Sequence, residues 1–152
     1  MNLEFGSEYD EFTKEVESFC KEYSGATITS DDEKFEMHDA LSGNSSNANG
    51  KTVGRSEWQK LLIEKGYFAR SIPKQYGGYG GEPDIIKSRI IAGAFAKYKV
   101  PNAMGGQGID MLVPTLLEWG TEEQKQQHVE STLHGQTVWC QGYSEPNAGS
   151  DL

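Results

Sequence analysis

Apolar residues at helical spacing, interrupted by glycine and proline, constrain this chain more than any other feature. Tyr9, Phe12, Val16, Phe19, Cys20 and Tyr23 recur at three- and four-residue steps, so Ser7 to about Tyr23 reads as one helix with a buried face. Ser7 is placed to cap it, Asp10 completes a capping box, Glu8, Asp10 and Glu11 suit the dipole at its start, and Gly25 ends it. Ser56-Glu57-Trp58-Gln59 opens a second helix, with Ser56 as cap, Gln59 at the reciprocal position, and Trp58, Leu61 and Leu62 facing inward. Glu82-Pro83 opens a third. Its buried line is Ile86, Ile90, Ala94 and Tyr98, flanked by Ile91 and Phe95, with Gly93 and Ala94 permitting close contact. A fourth stripe, Ile109, Leu112, Val113, Leu116 and Leu117, follows Gly105-Gly106-Gln107-Gly108 and contains Pro114, which predicts a kink. Thr121-Glu122-Glu123-Gln124 is a capping box for a fifth, polar helix to about Leu133, with His128 and His134 expected at its surface.

Between the first two helices, Gly25 to Arg55, the periodicity dissolves. An acidic run and Gly43 to Gly50, GNSSNANG, leave little to bury, so a flexible surface insertion is expected there. Phe35, Met37 and Leu41 suggest one weak helical turn, and His38 lacks the neighbours of a metal ligand. Gly77, Gly78, Gly80 and Gly81 superficially suggest a phosphate loop, but the spacing is wrong and no strand precedes them. A tight connection covered by Tyr76 and Tyr79 is the reading adopted.

The 152 residues suit one domain, and 36% hydrophobic residues plus 18 glycines suffice for a core. A net charge of -9, without a basic stripe, argues against nucleic-acid binding. Cys20 and Cys140 lack metal spacing and read as free thiols, which with the acidic N-terminus and the lack of a long apolar run points to a cytoplasmic protein with no membrane span.

The chain closes on an apolar, strand-like run, Val138 to Tyr143, and a polar turn, Ser144-Glu145-Pro146-Asn147-Ala148-Gly149-Ser150-Asp151. Three stretches carry a resemblance. IPKQYGG (Ile72 to Gly78), WGTEEQKQQHV (Trp119 to Val129) and WCQGYSEPNAGSDL (Trp139 to Leu152) together resemble the acyl-CoA dehydrogenase family. The last matches its signature of Ser or Thr followed by Glu-Pro-x-x-Gly-Ser-Asp; the insertion does not match.

The resemblance implies a helical N-terminal domain, a middle β-domain and a C-terminal four-helix bundle. The expected fold class is therefore all-α: about five helices over residues 1–136, with an insertion at about 25–55, and one terminal strand and turn, residues 137–152, belonging to a β-domain otherwise missing. It further implies α,β-dehydrogenation of an acyl-CoA with hydride transfer to FAD, electron-transfer flavoprotein or a similar acceptor, and a homo-oligomer at full length. By position in the motif, Gln141, Tyr143 and Ser144 would face the flavin. Gly149 would let the backbone approach, and Ser150 would serve flavin phosphate or the pantetheine of the substrate. Asn147 replaces a commoner Gly and tolerates the same conformation. Gln107 heads the helix that lines the acyl pocket in the family, and Gly105, Gly106 and Gly108 would widen that pocket for a bulky acyl group. No residue matches the catalytic Glu of the family, usually found in the bundle, so none is assigned; Glu145 is structural. An inactive fragment is expected, the alternatives being a non-catalytic helical interaction module or a fragment of an acyl-CoA oxidase. Isolated, the strand would lack a sheet and leave Trp139 exposed.

Overall fold

The computed structural model describes residues 6–30 and 51–142. The expectations placed on 31–50, including His38, Phe35, Met37 and Leu41, and on 143–152 lie outside the described residues.

Among the described residues five α-helices form the body: α1 (Ser7–Glu22), α2 (Arg55–Glu64), α3 (Ile85–Tyr98), α4 (Val113–Trp119) and α5 (Glu122–Leu133). A 3-10 turn occupies Lys74–Tyr76, and a π-helical turn, Gly108–Leu112, leads directly into α4. The all-α expectation needs one correction. Strands β1 (Thr27–Thr29) and β2 (Thr52–Gly54) pair in parallel, Ile28 opposite Val53, at the two ends of the insertion. The β-branched residues Thr27, Ile28, Thr29, Thr52 and Val53 favour this pairing. Three residues per strand are too short for a period-two pattern to be read from sequence.

Helix α1 packs on α3 through one large core: Val16, Phe19 and Cys20 meet Trp58 and Leu62 of α2 and Ile91, Ala94 and Phe95 of α3. Phe19 stacks on Tyr23, Trp58 and Phe95, with ring centroids 4.7, 5.9 and 6.1 Å away. Burial pushes the Cys20 thiol up to about 11, so it behaves as a small apolar side chain. A second cluster joins Ile63 of α2 to Tyr76, Val113, Val129 and Leu133. Adjacent residues Leu62 and Ile63 thus face different cores, and α2 is the element shared by both.

Several local expectations change. Helix α1 begins at Ser7 itself, with Gly6 at the cap and no side-chain cap bond, so Ser7 does not act as cap. Helix α2 begins at Arg55 after Gly54; Gln59 is 1% exposed rather than part of a capping box. Helix α3 begins two residues after Pro83, because the Asp84 side chain accepts from the N–H groups of Ile86 and Lys87, both at 2.9 Å. Those bonds lead the causes that hold the Asp84 carboxyl below its ordinary range. Gly93 is exposed and would meet nothing within 4 Å of an added Cβ, so it makes no close helix contact. Pro114 does not simply kink a helix. The π turn ends at Leu112 and runs straight into α4, so Pro114 sits where a π turn passes into an α-helix, and the helix irregularity takes the form of the π turn. The capping box at Thr121 is present in both directions: Gln124 N–H donates to Thr121 Oγ1 at 3.3 Å and Thr121 N–H to Gln124 Oε1 at 2.9 Å.

The glycine-rich connection is tight, as expected. Gly77 takes a left-handed φ of 82° at the end of the 3-10 turn. A Cβ on Gly78 would lie 2.1 Å from the Ile72 carbonyl oxygen. Tyr76 is buried and its hydroxyl donates to Glu122 Oε2 at 2.6 Å, tying this connection to α5.

Candidate functional site

A groove of about 560 Å³ opens between three elements. Its first wall is the segment after α2. Tyr67 and Phe68 N–H both donate to the Leu62 carbonyl, at 2.8 and 3.2 Å, which turns the chain sharply. Ala69 then sits at φ 49°, a left-handed conformation uncommon for a residue with a side chain. It is held there because its carbonyl accepts from Ile72 at 3.2 Å and Tyr79 at 3.1 Å. The second wall is one face of α3: Ser88, Ile91, Ala92 and Phe95, spaced three, four and seven residues apart. The third is the connection into the π turn, with Ala103, Met104, Gly105, Ile109 and Asp110.

The groove mixes apolar side chains with the polar groups of Arg70, Ser71, Ser88, Asn102 and Asp110. Small residues give it width: Gly66, Ala69, Ser71, Ala92, Ala103 and Gly105 all line it. Arg70 is already engaged, donating from Nε to the Glu82 carbonyl at 3.2 Å, with its guanidinium 5.2 Å from the centre of the Tyr79 ring. Asp110 accepts from Gly106 N–H at 2.9 Å and so pins the loop that precedes it.

Gly106 and Gly108 line a smaller cleft of about 80 Å³, together with Thr132, Thr137 and Trp139. Here the segment after α5 folds back. Trp139 is half-buried, contrary to the expectation of exposure. Its indole N–H donates to Thr132 Oγ1 at 2.9 Å and its ring meets His128 edge-on, centroids 5.4 Å apart. Residues 138–142 form no strand; no ladder partner exists for them among the described residues. His128 and His134 are half-buried rather than surface groups. Burial is the main cause of a lowered pKa at His134.

Of the site residues expected from sequence, the structure brings two together. Gln107 Nε2 donates to Gln141 Oε1 at 3.3 Å, and both side chains are exposed. Tyr143, Ser144, Gly149 and Ser150 lie outside the described residues. The fourth stripe divides. Ile109 lines the groove, whereas Val113, Leu116 and Leu117 pack in the second core. The contributions of Ala69 and of the Ser88–Phe95 face were not legible, since they depend on how α3 is rotated against the turn after α2. Among the described residues no three His, Cys, Asp or Glu side chains could hold a metal ion, and no helix is long and apolar enough to cross a membrane.

Comparison with known proteins gives the groove its context. The model of the acyl-CoA dehydrogenase N-terminal domain matches residues 7–136. Acyl-CoA dehydrogenase IpdE1 of Mycolicibacterium smegmatis is 36% identical over 98 residues, covering 64% of this chain and 24% of the relative. Acyl-CoA dehydrogenase FadE29 of Mycobacterium tuberculosis is 29% identical over 127 residues, 84% of this chain and 30% of its own. The chain thus spans a quarter to a third of the length of these relatives. Among solved structures, the ChsE4-ChsE5 complex from Mycobacterium tuberculosis aligns with a TM-score of 0.55 at 24% identity, covering 99% of this chain and 34% of that one. The Tcur3481-Tcur3483 steroid ACAD aligns at 0.53 and 23% identity, covering 99% and 35%. At these identities the structures speak for the fold alone, but the match to the N-terminal domain extends from α1 past the end of α5, and on that ground the chain belongs to the acyl-CoA dehydrogenase family.

Proposed function

We propose that this chain supplies the helical wall of the acyl site in an FAD-dependent acyl-CoA dehydrogenase. The observation that carries the reading is the open groove of about 560 Å³, whose lining takes in Gly105, Ile109 and Asp110, on either side of Gln107 in the sequence. The apolar walls from α3 and the turn after α2 would hold the acyl group, and burial of its methylenes supplies roughly 0.8 kcal/mol each. The small residues lining the groove favour a bulky acyl group over a slender chain.

Gln141 is the described residue assigned to the flavin. Its exposed amide offers both donor and acceptor, which fits the pyrimidine edge of that ring. When bound, FAD accepts the hydride leaving the β-carbon of the thioester. The chain's own residues bind and orient the acyl group; no catalytic base is assigned to them. Tyr143, Ser144, Gly149 and Ser150 are proposed to complete the flavin contact. Transfer to an electron-transfer flavoprotein or similar acceptor, and assembly with further acyl-CoA dehydrogenase subunits, belong to the same reading.

The test is the absorbance spectrum of the flavin. A longer protein comprising this chain, a β-domain and a helical bundle should purify yellow and bleach anaerobically when a bulky acyl-CoA is added. This chain alone should bind flavin weakly. Stoichiometric, tight flavin binding by the chain alone, or a longer flavoprotein that no acyl-CoA bleaches, would refute the reading. Reaction with short acyl chains only would refute the bulky-substrate part.

A further inference from the structure

Gln59 is a neutral amide placed where the two apolar cores meet on α2, and it is 1% exposed. A buried amide is tolerated when its polar atoms are partnered. Here Nε2 donates to the Leu133 carbonyl at 3.1 Å, and Oε1 accepts from Met104 N–H at 2.7 Å. One side chain therefore bolts the end of α5 to the connection between α3 and the π turn. Among the described residues the backbone of 101–105 makes one hydrogen bond, and it is the one Gln59 accepts. Met104 and Gly105 line the groove together with Ile91, Ala92 and Phe95 of α3. Beyond Gly106 the loop is held again, by the Asp110 carboxylate.

We propose that Gln59 is a positioning residue that fixes the Met104–Gly105 wall, and thereby selects the bulk of the acyl group admitted. The proposal rests on the groove being the acyl site. It follows from connectivity. The wall has no ladder or helix of its own between Pro101 and Gly105; Ala103 packs on the large core, and among the described residues the one hydrogen bond that holds the backbone of the segment is the one Gln59 accepts from Met104. That anchor requires an acceptor toward Met104 and a donor toward Leu133 at once, which an amide supplies and a carboxylate does not.

The chain itself, labelled with nitrogen-15, serves for the exchange measurement. Amide hydrogen exchange is measured for the parent, Gln59→Leu and Gln59→Glu, and octanoyl-CoA and cyclohexylacetyl-CoA are titrated into the longer protein, with its β-domain and helical bundle, carrying each of the three. In Gln59→Leu, of similar size and without either hydrogen bond, Met104 N–H should exchange about tenfold faster or more, while the amides of α1 and α3 keep their protection. The ratio of the two dissociation constants should move by about threefold or more. Gln59→Glu should show the same loosening near neutral pH and recover Met104 protection as the pH is lowered, because the protonated carboxyl again donates to Leu133 while accepting from Met104. That recovery also decides the matter if Gln59→Leu does not fold. Unchanged Met104 exchange in both variants, or faster exchange with an unchanged affinity ratio, overturns the proposal. If the longer parent binds neither acyl-CoA, the reading of the groove fails and the selectivity assignment falls with it, whereas failure of the anchor alone appears in the Met104 exchange rate.

Discussion

Replacing Gly78 by alanine should damage this protein, and replacing Gly93 by alanine should improve it. At Gly78 a Cβ would lie 2.1 Å from the oxygen, 2.5 Å from Cβ and 2.6 Å from the carbonyl carbon of Ile72, where ordinary contact begins at 3.4 Å. Two of these are backbone atoms and cannot swing aside. The turn must open by roughly 1 Å or more, and overpacking of that kind costs about 1–3 kcal/mol. The movement also strains Gly80 N–H to the Ile72 carbonyl, at 2.8 Å, and Gly78 N–H to the Pro73 carbonyl, at 3.2 Å. Each such bond is worth about 1 kcal/mol and straining the pair forfeits part of that, so with mid-range overpacking Gly78→Ala should lose about 3 kcal/mol in all. For a domain of this length that lowers the melting temperature by roughly 6–12 °C. Gly93, by contrast, lies inside α3, is exposed, and meets nothing within 4 Å. Alanine there removes backbone freedom from the unfolded chain and should add about 0.5–1 kcal/mol, or roughly 2 °C. Thermal unfolding followed by circular dichroism measures both. A Gly78→Ala protein that melts with the parent would show that the Ile72 turn does not approach the glycine as described. A less stable Gly93→Ala protein would show that α3 is not regular and open at that point.

Leu62 is 1% exposed in the large core, and Leu62→Ala should cost about 2–5 kcal/mol in urea unfolding without changing the slope. Thr121→Ala removes one half of the capping box and should cost about 1 kcal/mol, with the loss confined to α5 in amide exchange. His134 has a pKa lowered chiefly by burial, so the unfolded chain binds its proton more readily than the folded one. Stability should therefore fall as the pH drops below about 6.5, and His134→Gln should flatten that part of the profile. Gly108→Ala would press a Cβ to 2.6 Å from Trp139 Cδ1, so tryptophan fluorescence should shift to longer wavelength as the indole leaves its seat on Thr132.

For the described residues the sequence determined the number and kind of the helices because each carries its own periodic face, and the capping box of Thr121 with Gln124 is a purely local signal that the structure keeps. It also determined the tightness of the Ile72 to Gly81 turn, since adjacent glycines have few other uses beside a proline and a tyrosine. The family was legible from three short motifs, of which two lie within the described residues. Tertiary structure decided what local pattern does not encode. Ser56 and Gln59 satisfy a capping rule, yet Gln59 is taken into the core because Leu133 and Met104, 74 and 45 residues away, need its amide. Trp139 and the two histidines read as surface groups until α5 and the segment after it are brought against each other. The groove belongs to no single stretch: its walls come from the turn after α2, one face of α3 and the entry to the π turn, and its width depends on the rotation and spacing of elements far apart in the chain. Hydrophobic periodicity specifies which face of a helix is buried, whereas long-range packing and partner choice for buried polar groups specify against what.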